Sequence, residues 1–208
     1  MKTQEVISPR LHFDPVAHVY TFGGITLPSV TAILRAAGLS PDFSDVPPAT
    51  LAAAQERGKR VHEGCEMIDR DDLDWQTVDP AIEGYLRAYE NLCRDVDLRP
   101  IAVEESVHFG TTYAGTLDRL VWCRGERAVI DTKATAILSN SAHLQNAAYR
   151  EAWNHMRPKE PVTKTFVAHL KPDGTHRLVS PPGDAGSTDT WWSAVRCYQW
   201  SQKYRSKK

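Results

Sequence analysis

Several short stretches of the chain alternate between hydrophobic and polar residues, which is typical of strands with one buried face. This alternation predicts an N-terminal hairpin over residues 18–27 and a second hairpin over residues 163–179. Between them it predicts a three-strand meander, formed by Ile101 to Phe109, Tyr113 to Cys123 and Ala128 to Lys133. A meander places its consecutive strands side by side in one sheet.

Apolar residues at helical spacing mark five further segments, three of which begin with a residue that favours helix starts. Ser29, Asp79 and Ser141 are the predicted N-caps. The predicted helices cover residues 29–38, 49–69, 79–94, 141–156 and 187–204. Because helices fall before, between and after the strands, we expect an α/β or α+β fold with a central mixed sheet flanked by helices.

Length and charge narrow the class of protein. A chain of 208 residues is enough for one well-buried domain, so we expect a single domain over residues 1–208. The formal net charge of -1 conceals an asymmetry: residues 1–138 carry 14 Lys and Arg against 21 Asp and Glu, whereas residues 139–208 carry 11 against 5. An acidic part that binds cations beside a basic part suits a phosphate-bearing ligand, although solvated surfaces can give the same numbers by chance. No segment approaches the ~20 apolar residues of a membrane span, so we expect a cytoplasmic protein without a membrane partner.

Acidic residues and one lysine stand where two predicted strands end. Asp131 and Lys133 follow the apolar pair Val129-Ile130, and their spacing puts both side chains on one face of the strand, about 7 Å apart. Asp118 lies on the preceding strand. Carboxylates can hold a hard divalent cation, and a lysine beside them can orient or deprotonate a water molecule. A solvated ion pair at a sheet edge would give the same short pattern, so the surrounding residues have to decide.

Further motifs precede and follow this group in a fixed order. In chain order the motifs read Gly-x-x-x-His (58–62), a glutamate (104 or 105), Gly-x-x-Asp (115–118), Asp-x-Lys (131–133) and Gln-x-x-x-Tyr (145–149). This series, together with Pro28-Ser29-Val30-Thr31, resembles the RecB-like and Cas4-like exonuclease branch of the PD-(D/E)xK nuclease superfamily. Phage recombination exonucleases and mitochondrial genome maintenance exonucleases belong to that branch. The resemblance covers residues 28–150 and implies a restriction-endonuclease-like core.

The resemblance also implies roles for individual residues. The ligands that it implies for Mg²⁺ or Mn²⁺, at two ion sites, are His62, Glu104, Asp118, Asp131 and the carbonyl group of Thr132. It implies that Lys133 positions or deprotonates the attacking water and stabilises charge on phosphorus. Gln145 and Tyr149 would support the lysine or touch the DNA backbone. The residues that it places along the DNA are Ser29, Thr31, Arg60, Gln145 and Tyr149.

Two glutamates compete for one of these positions. If Ile101, Val103, Val107 and Phe109 face the core, regular alternation puts Glu105 on their face and Glu104 on the opposite one. The spacing to Val107 agrees better with the nuclease motif when Glu104 is the ligand. We therefore select Glu104.

The expected function is metal-dependent hydrolysis of DNA by an exonuclease that acts in recombination, repair or phage DNA processing. DNA ends, single- or double-stranded, would be the substrate, and a single-strand annealing or recombination protein could be a partner. The alternatives are a structure- or sequence-specific endonuclease and a nucleic-acid-binding module without catalysis. Four widely spaced cysteines predict no iron–sulfur cluster, and the sequence has no phosphate-binding loop that would predict ATP as a cofactor. A cytoplasmic location, in a bacterial or phage-infected cell, goes with this function.

Overall fold

A computed structural model describes residues 10–204, apart from the side chains of Asp184 and Ala185. Eight strands and five α-helices follow one another along this part of the chain. The strands are β1 (Leu11–Asp14), β2 (Val19–Phe22), β3 (Ile25–Leu27), β4 (Arg99–Phe109), β5 (Tyr113–Cys123), β6 (Glu126–Lys133), β7 (Lys164–Leu170) and β8 (His176–Val179). The helices are α1 (Val30–Ala36), α2 (Pro48–Asp69), α3 (Pro80–Asp95), α4 (Ser141–Met156) and α5 (Asp184–Tyr204), with a short 3₁₀ turn at Trp75–Thr77.

The central sheet has five strands in the order β4-β5-β6-β7-β8. Its first three strands form the predicted antiparallel meander, and β7 runs parallel to β6. Two parallel neighbours need a crossover connection, which α4 provides. The sheet is therefore mixed and flanked by helices, and the predicted α+β class is confirmed.

Two hydrophobic clusters cover the two faces of this sheet. On one face, residues of α2 and α3 such as Val61 and Leu86 pack against Val121 and Ile130. On the other face, α1, α4 and α5 contribute a second set of core residues, which includes Val30, Trp153 and Trp191. Because both faces are covered, polar side chains in the middle of the sheet have to find partners inside the protein.

Two of the three predicted N-caps set helix boundaries as expected. The side chain of Asp79 accepts a hydrogen bond from the Ala81 amide (2.7 Å), and that of Ser29 accepts one from the Ala32 amide (3.1 Å). The prediction for Ser141 is wrong, because helix α4 already includes this residue and Asn140 occupies the N-cap position. The Ser139 hydroxyl instead accepts a hydrogen bond from the Ser141 amide at 3.2 Å.

The predicted N-terminal hairpin is part of a larger unit. Strands β2 and β3 pair as expected, but β1 adds a third antiparallel strand beside β2. Tyr20 and Leu27 of this small sheet pack against Ala114 of β5. The Ala114 amide also donates a hydrogen bond to the Pro28 carbonyl at 3.0 Å, which ties the small sheet to the start of β5. Across the described part of the chain, no helix is both long and apolar enough to cross a bilayer.

Candidate active site

One imidazole and two carboxylates meet where α2 passes the strands β4 and β5. His62 lies on α2, Glu104 on β4 and Asp118 on β5, and one ligand atom of each lies within 4.8 Å of the other two. His62 Nδ1 lies 3.3 Å from Asp118 Oδ2, the shortest distance between the histidine and either carboxylate. Nitrogen and oxygen donors at this spacing can coordinate a divalent cation.

Asp118 is held as a carboxylate by its surroundings. The Thr132 amide donates a hydrogen bond to Asp118 Oδ2 at 2.9 Å, which joins β5 to β6 beyond their last regular pair. Burial alone would raise the pKa of Asp118, but the charges of His62, Lys133 and Arg119 and this hydrogen bond outweigh it and lower the pKa. Asp118 is therefore available as an anionic ligand.

Asp131 and Lys133 form a buried pair on β6, as their spacing predicts. Lys133 Nζ donates to Asp131 Oδ1 at 2.7 Å, and only 3% of the Asp131 side chain is exposed. Burial lowers the pKa of Lys133, but the nearby Asp131 and Asp118 more than compensate, so the pKa is raised. For Asp131, burial and repulsion by Asp118 exceed the attraction of Lys133 and raise the pKa to about 6. Lys133 thus stays an ammonium ion, but its charge does not bring the pKa of the neighbouring Asp131 back to the ordinary value.

The second oxygen of Asp131 has no partner among the described residues. Asp131 Oδ2 is buried and accepts no hydrogen bond from them. An unpaired carboxylate oxygen inside a protein costs free energy, on the order of 1–3 kcal/mol or more for a charged group. Such an atom is a natural position for a cation that completes the site.

Glu104 joins this group through an irregular stretch of β4. Val103 pairs with Arg119 and Glu105 with Leu117, so Glu104 lies between them, opposite Asp118. Its φ of 51° lies in the left-handed region. Burial and the charge of Asp118 raise the pKa of Glu104 to about 7. Glu105, the competing candidate, instead lies 3.7 Å from Arg157.

A buried polar network lies beneath these residues and was not predicted from the sequence. Arg119, whose side chain is fully buried, donates from Nε to Asp69 Oδ2 at 2.6 Å and from Nη1 to Thr132 Oγ1 at 3.2 Å. The Tyr89 hydroxyl donates to the other oxygen of Asp69 at 2.6 Å. The network therefore fixes the Thr132 side chain, and the Thr132 backbone amide in turn holds Asp118.

Tyr149 reaches the site from α4 because β5 has a glycine at Gly115. A Cβ atom on Gly115 would lie 2.6 Å from Tyr149 Cε1 and 3.2 Å from a methyl carbon of Val30. Burial, together with the charges of Asp118 and Asp131, raises the pKa of the Tyr149 phenol well above its ordinary value. Gln145 is half-buried one helical turn earlier on α4, on the same side as Tyr149.

The other residues predicted to touch DNA have structural partners in this protein. The Ser29 hydroxyl caps α1 and lies 3.1 Å from the Thr31 hydroxyl. Arg60 donates to Asp79 Oδ2 at 2.7 Å, at the start of α3. A role of Ser29 and Thr31 in binding DNA beside Gly115 therefore stays a prediction. The charge of Arg60, by contrast, is already neutralised by Asp79.

The residues present fit a divalent cation. Three donors lie within reach of one another, a third carboxylate, that of Asp131, has an unpaired oxygen, and burial together with the charge of Asp118 raises the pKa values of Glu104 and Asp131. A cation placed among these groups would relieve each of these costs at once. The carboxylate oxygens suit Mg²⁺ or Mn²⁺, and the imidazole shifts the preference of the site toward Mn²⁺.

Comparisons with known proteins add the following. No protein-family profile matches the chain, and no curated protein matches it either. Among solved structures, the chain is similar to the crystal structure of SSO0001 at 15% sequence identity. The alignment covers 76% of this chain and 67% of that chain, with a TM-score of 0.34. A similarity at this level does not bear on activity, so the chemistry has to be argued from the geometry of the site.

Proposed function

We propose that this protein is a metal-dependent nuclease that hydrolyses phosphodiester bonds in DNA. One observation carries the proposal: His62, Glu104 and Asp118 converge within 4.8 Å. They do so beside a buried lysine–carboxylate pair, Lys133 and Asp131, whose second carboxylate oxygen is buried without a described partner. A cation can polarise a phosphoryl oxygen, and a fixed ammonium group beside it can stabilise the charge that develops during hydrolysis of a phosphodiester.

His62, Glu104, Asp118 and Asp131 are the residues that would hold Mg²⁺ or Mn²⁺, and the carbonyl group of Thr132 is a fifth candidate. The imidazole favours Mn²⁺ over Mg²⁺, because Mg²⁺ binds oxygen donors almost exclusively. When bound, the ion supplies positive charge that polarises a phosphoryl oxygen and makes a water molecule more acidic.

The chain's own residues would orient the reactants. The Lys133 ammonium group, held by Asp131, has further protons that it can donate to a water molecule or to a phosphate oxygen. The nearby Asp131 and Asp118 raise the pKa of Lys133, which favours a role by orientation and charge over a role as the base. Tyr149 closes the site on the side of α4, and its high phenol pKa keeps it a neutral hydrogen-bond donor.

An exonuclease is the form of this activity that the resemblance to RecB-like nucleases favours. End-labelled linear DNA and closed circular DNA, incubated with Mg²⁺, Mn²⁺ or EDTA, distinguish the possibilities. Loss of label from linear DNA alone supports an exonuclease, and nicking of circles supports an endonuclease. Binding of DNA without cleavage under any of these conditions would leave a nucleic-acid-binding module and exclude both enzymes.

Lysine variants test the site directly. Lys133→Ala should lose cleavage, on the order of 10²-fold or more, since the ammonium group acts on the developing charge. Lys164→Ala is a matched control, because Lys164 lies on the neighbouring strand β7 in an exposed pair with Glu126. Near-normal cleavage by Lys133→Ala would contradict the proposed site. Calorimetric titration with Mn²⁺ supplies a second test, in which His62→Ala should bind more weakly than wild type and the wild-type stoichiometry should show whether two ions bind.

A further inference from the structure

A second feature adjoins the candidate active site on the side of the N-terminal sheet. A cavity of about 930 Å³ lies between the small sheet, β4 and the end of α4. The residues that line it are Arg10, Leu11, Phe22, Glu104, Glu105, Ser106, His108, Met156 and Arg157. Glu104 belongs both to this cavity and to the cation-binding group, so the cavity and the proposed site share this residue as a common wall.

This connection limits what the cavity can hold. A nucleic-acid strand whose phosphodiester is cleaved at Glu104 and Asp118 has to continue on at least one side of that bond. A second cavity of about 600 Å³ near α4 and α5, around Ser139 and His143, shares no residue with the cation-binding group. The cavity that contains Glu104 is therefore the better path for the continuing strand.

Two aromatic rings form a platform in this cavity. The rings of Phe22, on β2, and His108, on β4, lie against each other with centroids 4.0 Å apart and planes inclined by 35°, so a base can stack on an outer face of the pair. Both side chains are only partly buried, so the pair is accessible from the cavity. Aromatic platforms of this kind bind unpaired bases by stacking, which bases inside a duplex cannot do without leaving their own stack.

Two arginines flank the platform. Arg10 is exposed at the start of β1, and 46% of the Arg157 side chain is exposed after α4. Arg157 lies 3.7 Å from Glu105, which is beyond hydrogen-bonding distance, so its guanidinium donors can still reach a phosphate. Glu104 and Glu105 also line the groove and balance the two arginines, so a single strand would be bound by the guanidinium groups themselves and by base stacking rather than by a net positive charge.

We infer that this cavity is a groove for single-stranded DNA, in which bases stack on Phe22 and His108 while Arg10 and Arg157 bind phosphates. The inference rests on the proposed nuclease function, because the continuing strand is what connects the groove to the site. It assigns a role to the N-terminal three-stranded sheet, whose strands β1 and β2 form one wall of the groove.

Fluorescence anisotropy with a labelled oligodeoxythymidine, in EDTA to prevent cleavage, tests the groove. Phe22→Leu keeps an apolar side chain but removes the ring, and its affinity should fall about ten-fold, the effect of losing a stacked base. Arg157→Gln should weaken binding and reduce the slope of log K against log salt by about 0.7, the value for one phosphate contact to a single strand. Arg157 is on the surface, so this variant checks the groove even if Phe22→Leu folds poorly.

A matched aromatic and cation outside the groove provide the control. Trp122 on β5 is 43% exposed, and Arg127 on β6 lies over its ring at 5.5 Å. Trp122→Leu and Arg127→Gln should bind the oligonucleotide like wild type, and duplex DNA of the same length should be insensitive to Phe22→Leu. Wild-type affinity in both groove variants, or an equal loss with duplex, would overturn the inference.

The cleavage assay separates this inference from the proposed function. If the wild type cleaves DNA but the groove variants bind single strands normally, the groove is wrong and the nuclease stands. If single strands bind through the groove but are not cleaved in Mg²⁺ or Mn²⁺, the nuclease proposal fails instead. Absence of any binding and cleavage by the wild type contradicts both.

Discussion

The buried pair of Asp69 and Arg119 gives the sharpest prediction about stability. The Asp69 side chain is 2% exposed and that of Arg119 is fully buried, and Asp69 also accepts the Tyr89 hydroxyl hydrogen. Asp69→Ala removes both acceptors and leaves a guanidinium group without its counter-ion. An arginine cannot lose its proton to escape this, so the charge stays buried and uncompensated.

The size of the effect follows from this burial. Removing one partner of a buried ion pair typically costs about 3–5 kcal/mol, compared with about 5–15 kcal/mol for the whole free energy of unfolding of a domain. For a chain of this length, each kcal/mol corresponds to about 2–4 °C in melting temperature. We therefore expect Asp69→Ala to melt roughly 6–20 °C below wild type.

Urea unfolding in EDTA measures this cost without a contribution from bound metal. Arg99→Gln is the control, because Arg99 pairs with Asp97 at the same 2.6 Å but with both side chains exposed. The urea midpoint of this variant should stay near that of wild type. The double variant Asp69→Leu/Arg119→Met should be more stable than Asp69→Ala, since it removes the charge as well as the partner. A loss below about 1 kcal/mol for Asp69→Ala would refute the reasoning from burial.

Three further predictions concern the site itself. Gly115→Ala should destabilise the protein by about 1–3 kcal/mol in urea unfolding, because its Cβ would lie 2.6 Å from the Tyr149 ring. Tyr149→Leu should relieve much of this loss, and simple additivity of the two changes would contradict the close contact. Thr132→Val should bind Mn²⁺ more weakly by calorimetry, while Thr132→Ser should bind it like wild type. The reason is that the Thr132 hydroxyl accepts from Arg119, and the Thr132 amide in turn donates to Asp118. Equal affinities would show that the network does not reach the metal site. In EDTA, the melting temperature should fall as the pH rises from about 5 to 8. The folded state holds the Glu104 proton up to a pKa of about 7, above the ordinary ~4.3 of the unfolded chain, so ionisation in this window costs stability; the fall should be smaller in Glu104→Gln, and identical pH profiles for both proteins would rule out this cause.

Local signals in the sequence were sufficient for much of the fold. The Asp79-Pro80 pair and Ser29 predicted helix starts, because a cap acts through atoms only two or three residues away. The meander and the crossover helix also follow from alternation and from helical spacing. Strand β1 was missed because its pairing with β2, which supplies the hydrogen bonds that define it, is not visible in its own four residues. Ser141 is not the cap because Asn140 occupies the N-cap position and the Ser139 hydroxyl accepts the hydrogen bond from the Ser141 amide.

The candidate site was predicted less completely than the fold. The chain order of His62, Asp118, Asp131 and Lys133 suggested that they converge, and the structure brings them together. Asp69 and Arg119 were not predicted, because they are 50 residues apart and because aspartate and arginine are usually found at the protein surface. The one available signal was the position of Arg119 directly after Asp118, on a strand that is otherwise apolar.

Glu104 shows why counting along a strand cannot replace the structure. The register of β4 shifts between Pro100 and Ala102, and Ile101, taken as a core residue, is 41% exposed. A shift of one residue exchanges the two faces of a strand, so alternation counted from Ile101 cannot decide between Glu104 and Glu105. The left-handed backbone at Glu104 then costs about 1–3 kcal/mol for a residue with a side chain. With this backbone, a carboxylate oxygen of Glu104 lies within 4.8 Å of ligand atoms of His62 and Asp118, and the cation that we propose there would offset part of the cost.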